Sequence, residues 1–199
     1  GQFLLVDLKA KNVEVLFSAK PELTADMLAT MSPIELKARD GTKLSGYVTS
    51  ATTTPKPGPM VVVVHGGPFG QRDTWGFNAD VQLLASQGVH VLQLNFRGSS
   101  GYGLKFESAG HTEWGGLMQD DVTDGTAWAV QTGLADPQRI CIYGSGYGAY
   151  AALMGTAREP DLYRCAVGVS GIYDLSLLES SGDARQGQAT KAFLTQAIG

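Results

Sequence analysis

The segment that most constrains this chain reads Arg139-Ile140-Cys141-Ile142-Tyr143, then Gly144-Ser145-Gly146-Tyr147-Gly148, then Ala149-Tyr150-Ala151-Ala152-Leu153-Met154. Isoleucine and tyrosine favour an extended strand over 139–143. Three glycines in five positions favour a sharp turn. The alanine-rich run behind them favours a helix, expected over 147–158 and ended before Pro160. A strand that turns directly into a helix is half of a βαβ unit, because the helix carries the chain back across the sheet before a parallel strand can start. Parallel strands are covered on both faces, so the remaining sequence must supply more such units.

It does. Apolar runs at 60–64, 89–94 and 165–169 read as further strands, and 78–87 and 118–131 as helices stopped by Gly88 and Gly133. Ahead of them, 34–38 and 44–48 flank Asp40-Gly41 as a hairpin, followed by a Thr/Pro-rich loop over 49–59. A first hairpin, 3–6 with 13–17, is marginal by itself. It is assigned to the end of a preceding β domain (1–20), with a polar linker at 21–33 broken away from the main domain, 34–199. A polar tail from Glu179 and a short helix over 190–198 close the chain.

With 199 residues, 43% of them apolar, the chain can bury one substantial core. Fifteen Lys and Arg against nineteen Asp and Glu give a net charge of −4, which offers no general attraction to nucleic acid or anionic membranes and suits a small or peptide-like partner. The longest aliphatic run, 60–64, falls far short of the roughly 20 residues of a membrane helix. No targeting segment is visible, and a cytoplasmic location is slightly favoured. Cys141 and Cys165 lie in apolar strands, where free thiols pack as small buried hydrophobes; a disulfide is the minor alternative.

An antiparallel hairpin feeding a parallel sheet is how the α/β-hydrolase fold begins. About six of its eight strands are present, so the fold class is a mostly parallel α/β sheet with helices on both faces, truncated before the last two strands. In that fold the strand–turn–helix is the nucleophile elbow, Gly-x-Ser-x-Gly. Gly144 and Gly148 occupy the flanks, and the nucleophile position is Gly146, which has no side chain to attack a carbonyl. Ser145 is a weak substitute, since centring the motif on it puts Tyr143 and Tyr147 at the crowded flanks; as a turn serine it would bond nearby backbone. His65, His90 and His111 all precede the elbow, against the order Ser, Asp or Glu, His. Asp174, after the sixth strand, is a weak alternative acid. His65-Gly66-Gly67-Pro68 follows the 60–64 strand where an oxyanion loop belongs, so the backbone N–H groups of Gly67 and Tyr147 are the candidate oxyanion donors. His65 is expected to fix that loop.

Taken in order, the HGGP of 65–68, NFRGSSGYG of 95–103, WGGLMQDDVTDGTAW of 114–128 and YGSGYGAY of 143–150 resemble the prolyl oligopeptidase family, in its acylaminoacyl-peptidase-like and dipeptidyl-peptidase-like branches. The resemblance covers about 34–178. It implies serine peptidase action on short peptides through an acyl-enzyme, no cofactor, and a β-propeller to which the first hairpin belonged. It departs from the family at Gly146 and in the absent acid–histidine segment, so this chain alone is expected to be inactive. Arg97 reads as a loop anchor ahead of a substrate clamp, and Trp114 as packing.

Two other classes remain. A non-catalytic peptide-binding relative would keep the cleft and lose the serine. A dinucleotide domain would explain Gly144-Ser145-Gly146-Tyr147-Gly148-Ala149, but its acidic partner is missing at Val169-Ser170-Gly171. Asp120, Asp121 and Asp124 suit the first turns of a helix better than a metal, and 98–103 lacks the lysine of a phosphate loop. The unpaired edge of the sixth strand is expected to associate with another chain.

Overall fold

A computed structural model describes residues 1–178 and 188–198; the first part of the polar tail from Glu179 lies outside the described residues. Eight strands run β1 (Gln2–Asp7), β2 (Asn12–Ser18), β3 (Met31–Lys37), β4 (Lys43–Thr49), β5 (Gly58–Val64), β6 (His90–Asn95), β7 (Ala135–Ser145) and β8 (Cys165–Val169). The helices are α1 (Ala79–Ser86), α2 (Leu104–Ser108), α3 (Leu117–Gln131), α4 (Tyr147–Arg158) and α5 (Gln188–Ile198). Among the described residues β1 and β2 pair only with each other, and six strands form the main sheet in the order β3-β4-β6-β5-β7-β8. β3 and β4 are antiparallel, β4 is antiparallel to β6, and β5 to β8 are parallel. This is the α/β-hydrolase fold, carried through its sixth strand.

Side-chain alternation decides the two faces. Met60, Val62 and Val64 of β5 join Ile140 and Ile142 of β7 in the main core, closed over by Met118, Val122 and Ala129 of α3 and Tyr147, Tyr150, Ala151 and Ala152 of α4. The opposite face of β5 and β6 packs Val63 and Val91 against Val81 of α1. Asn78 starts α1 by accepting from the backbone N–H groups of Asp80 (3.0 Å) and Val81 (3.2 Å). Farther along that face, Cys141, Tyr143, Cys165 and Val167 line an open apolar groove of about 330 Å³ with Leu83 and Leu84.

That groove bears on the cysteines. The expected free, buried thiols are corrected to a Cys141–Cys165 disulfide. The two residues are directly paired in the β7–β8 register with Cα atoms 4.7 Å apart, within bridging range. Cys165 is exposed, lining this open groove. The structure also adds α2, too short for its apolar period to be seen, and lengthens β7 back to Ala135, which pairs with Gly58 across a bulge.

A buried ion pair ties the front of the sheet together. Arg97, 5% exposed, donates from its backbone N–H and Nε to Asp121 Oδ2 (both 2.8 Å) and from Nη2 to Asp121 Oδ1 (2.7 Å). Nη2 also meets Asp40 at 2.9 Å, so the β3–β4 turn, the loop after β6 and α3 converge on one guanidinium. Asp121 holds that guanidinium firmly charged, its pKa raised above the ordinary value by this hydrogen bonding. Arg97 is therefore an anchor. Asp124 takes Arg39, and Asp120 takes Arg158, so all three acids of α3 have arginine partners. Among the described residues no acid, histidine or cysteine cluster could hold a metal.

Candidate active site at the strand–helix elbow

β7 ends at Ser145 and α4 begins at Tyr147, so Gly146 alone turns the chain. Its φ of 59° and ψ of −120° lie outside the regions L-residues prefer. Its N–H donates to the Val169 carbonyl at 3.0 Å, pinning the turn to β8. A β-carbon there would meet nothing within 4 Å among the described residues. Space for a side chain exists at Gly146, at the cost of backbone strain.

The flanks show the reverse. A β-carbon on Gly144 would overlap the Gly148 backbone, lying 2.6 Å from its Cα. One on Gly148 would run into the Val64 carbonyl oxygen, 2.9 Å from the carbonyl carbon. Glycine at both positions is what lets α4 begin hard against β5 and β7.

A cavity of about 240 Å³ opens above the elbow, lined by Gly67, Trp114, Gly146, Tyr147, Ser170, Ile172 and Leu178. The structure thus brings together three positions singled out from sequence: Gly67, Gly146 and Tyr147. As the first residue of α4, Tyr147 has a backbone N–H without an intrahelical acceptor, at the helix end that favours negative charge. Its ring is buried, which pushes the phenol pKa up, and packs edge-on against Trp114 with centroids 4.6 Å apart. Gly67, at φ 118°, offers bare backbone to the wall of the same cavity.

His65 holds that wall from behind. Its Nδ1 donates to the Gly66 carbonyl (2.8 Å), leaving Nε2 to accept from the Ser99 hydroxyl (2.8 Å), and its ring stacks on Phe96 at 4.4 Å. Burial lowers its pKa and keeps it neutral. His90 accepts from Ala51 N–H at the far end of β6, and His111 packs edge-on against Phe69. No histidine lines the cavity among the described residues.

Ser145 ends β7 opposite Val169, exposed and outside the cavity lining. Asp174 also lies outside it; its Oδ1 accepts from the Ser176 N–H (3.0 Å) and hydroxyl (2.6 Å), capping a short 3-10 turn. Trp114 does more than pack, since it lines the cavity. Ser170, Ile172 and Leu178 went unmarked in the sequence. Their position past the carboxyl end of a parallel strand was the available signal, because open α/β sheets bind ligands there.

Comparison with known proteins follows the same lines. The pattern of the prolyl oligopeptidase family matches residues 75–193. Dipeptidyl aminopeptidase BIII of Pseudoxanthomonas mexicana is 39% identical over 183 residues, covering 88% of this chain and 26% of that protein. Dipeptidyl peptidase family member 6 of Caenorhabditis elegans is 31% identical, covering 81% of this chain and 25% of its own. A solved puromycin-hydrolysing peptidase of Mycobacterium tuberculosis, 28% identical, matches with a TM-score of 0.85 over 98% of this chain and 30% of that one. The chain spans about a quarter of the length of the curated relatives it matches.

Proposed function

We propose, from the premise that this chain belongs to the prolyl oligopeptidase family, that it is the elbow-bearing part of a serine peptidase domain acting on short peptides, with Gly146 standing where the attacking serine acts. The observation that carries this is the backbone of Gly146: a strained φ and ψ with open space for a side chain, between two glycines that tolerate none.

In the intact reaction a serine Oγ at this position attacks the scissile carbonyl carbon. The carbonyl oxygen takes the negative charge, and the N–H groups of Gly67 and Tyr147 receive it. Collapse expels the amine, and water then releases the acyl group from the serine. The base and acid of that sequence are assigned to residues beyond this chain. Two observations count against the dinucleotide reading: the glycines serve α4 packing, and β8 ends at Val169 without a carboxylate.

Without an Oγ the reading for this chain is an inactive site that keeps its cavity, and Gly146 itself favours the second reading, a non-catalytic peptide-binding relative. Labelling with a fluorophosphonate together with hydrolysis of a chromogenic dipeptide separates them. The chain as it stands is expected to give neither, and Gly146→Ser in the full-length protein is expected to give both. Inhibitor-sensitive turnover by the Gly146 protein would overturn the assignment of inactivity. An inert Gly146→Ser protein that binds peptides would favour the binding reading.

A further inference from the structure

Asp73 lies in the loop that joins β5 to α1, six residues beyond Gly67. Its backbone N–H donates to Asn95 Oδ1 (2.8 Å), and its carbonyl accepts from Asn95 Nδ2 (3.1 Å). Its Oδ1 accepts from Gln93 Nε2 at 2.7 Å. Gln93 and Asn95 alternate onto one face of β6 and are 2% and 0% exposed. Asn95 Nδ2 also donates to the Tyr102 hydroxyl (2.8 Å), so the loop after β6 is fastened to the same strand positions.

Two atoms of this cluster are buried without a hydrogen-bond partner among the described residues: Asp73 Oδ2 and Gln93 Oε1. They belong to the two groups already joined through Nε2 and Oδ1. With Asp73 ionised, both atoms are acceptors and neither can satisfy the other, a costly arrangement for buried polar groups. A carboxylic acid changes this. Its O–H on Oδ2 can donate to Gln93 Oε1 while Oδ1 keeps its bond from Nε2, closing an acid–amide ring of two hydrogen bonds.

We propose that Asp73 and Gln93 form a proton-linked latch, in which a protonated Asp73 closes this ring and fastens the 65–78 loop to β6, and an ionised Asp73 loosens it. Burial pushes the Asp73 carboxyl up to about 6, with the Gln93 amide pulling the other way. Arg72 turns its guanidinium over the Tyr102 ring, 5.8 Å from its centroid. Tyr102 binds Asn95, and Tyr47 of β4 sits opposite Gln93 in register. Neither Gln93 nor Asn95 titrates.

Because the folded pKa lies above the unfolded value, the proton's contribution is complete below about pH 4, is lost as pH rises through about 6, and stays lost above that. The consequence for Gly67, which the same loop carries, rests on the function proposed above; the latch itself does not.

The test compares the melting of the full-length protein and its Asp73→Asn variant from pH 4 to 8. Asparagine keeps the ring at every pH, donating from Nδ2 to Gln93 Oε1. The native protein is expected to lose about 5 °C in Tm relative to the variant across this range, the variant being the more stable at pH 8. A variant less stable than the native protein at pH 8 would overturn the latch. Infrared titration of the native protein, with its aspartates isotopically labelled, gives an answer even if the variant does not fold. A protonated-carboxyl band persisting to about pH 6 supports the proposal, and full ionisation of every aspartate by pH 5 overturns it. Hydrolysis of peptides plays no part in either readout, so a failed latch and a failed peptidase assignment are distinguishable.

Discussion

The carbonyl oxygen of Val64 occupies the place where a β-carbon on Gly148 would have to sit. The elbow is therefore held against β5 by backbone contact, with no side chain in between. Gly148→Ala is expected to lower stability by about 3 kcal/mol, the upper end for overpacking against atoms that cannot move aside. Gly144→Ala should behave likewise, against the Gly148 backbone. Gly146→Ala meets open space and is expected to show backbone strain alone, about 1–2 kcal/mol. Urea unfolding of the three variants checks the ordering; equal losses would show that crowding does not set the elbow.

The elbow was legible in the sequence because its constraint is local: strand, three glycines and helix are contiguous, and steric rules act within that window. α4 matches the expected 147–158 for the same reason. The disulfide was not legible. It depends on Cys141 falling opposite Cys165 in a pairing set by sheet register, which composition does not reveal. The cavity was half legible. Gly67, Gly146 and Tyr147 carry motif positions, while Ser170, Ile172 and Leu178 line it through the path of the chain after β8. Asp174, which reads as a possible acid by position, is occupied as a cap by a serine two residues on.

Arg97 and Asp121 make a prediction that separates a structural anchor from a substrate clamp. Removing Asp121 strips the buried guanidinium of its bidentate partner and leaves it only the partly exposed Asp40, so Asp121→Ala is expected to cost about 3 kcal/mol. Arg97→Met should cost a similar amount for the mirrored reason. If the pair acts only in the fold, the double replacement recovers a substantial part of either single loss in a double-mutant cycle. Independent, additive losses would argue against the coupling.

The Cys141–Cys165 bridge closes a loop with a sequence separation of 24, and that loop contains the whole elbow and α4. Closing a loop of this length restricts the unfolded chain by about 3 kcal/mol. Melting with and without a thiol reductant should therefore differ, and a Cys141→Ala, Cys165→Ala variant should match the reduced protein. The bridge lines the groove beside Leu83 and Leu84, five residues before Gly146, and shares no lining residue with the cavity at the elbow. Reduction is thus expected to lower stability without closing the cavity. An unchanged Tm on reduction would remove the bridge from the stability of the fold.

β8 forms one edge of the main sheet, and its outer face carries Val167 and Val169 at 51% and 44% exposure. An apolar edge strand whose outer N–H and C=O groups have no strand partner among the described residues is a template for another strand. The groove beside it, lined by Leu83, Leu84 and Val167, adds an apolar surface that water covers poorly. The 199-residue chain by itself is therefore expected to associate at micromolar concentration. Val167→Lys places a charge in the groove and should shift the population toward monomer, because pairing would then desolvate an ammonium. Light scattering after size-exclusion chromatography reads both states. A monodisperse, cooperatively melting monomer of the unaltered chain would show that this edge needs no partner strand.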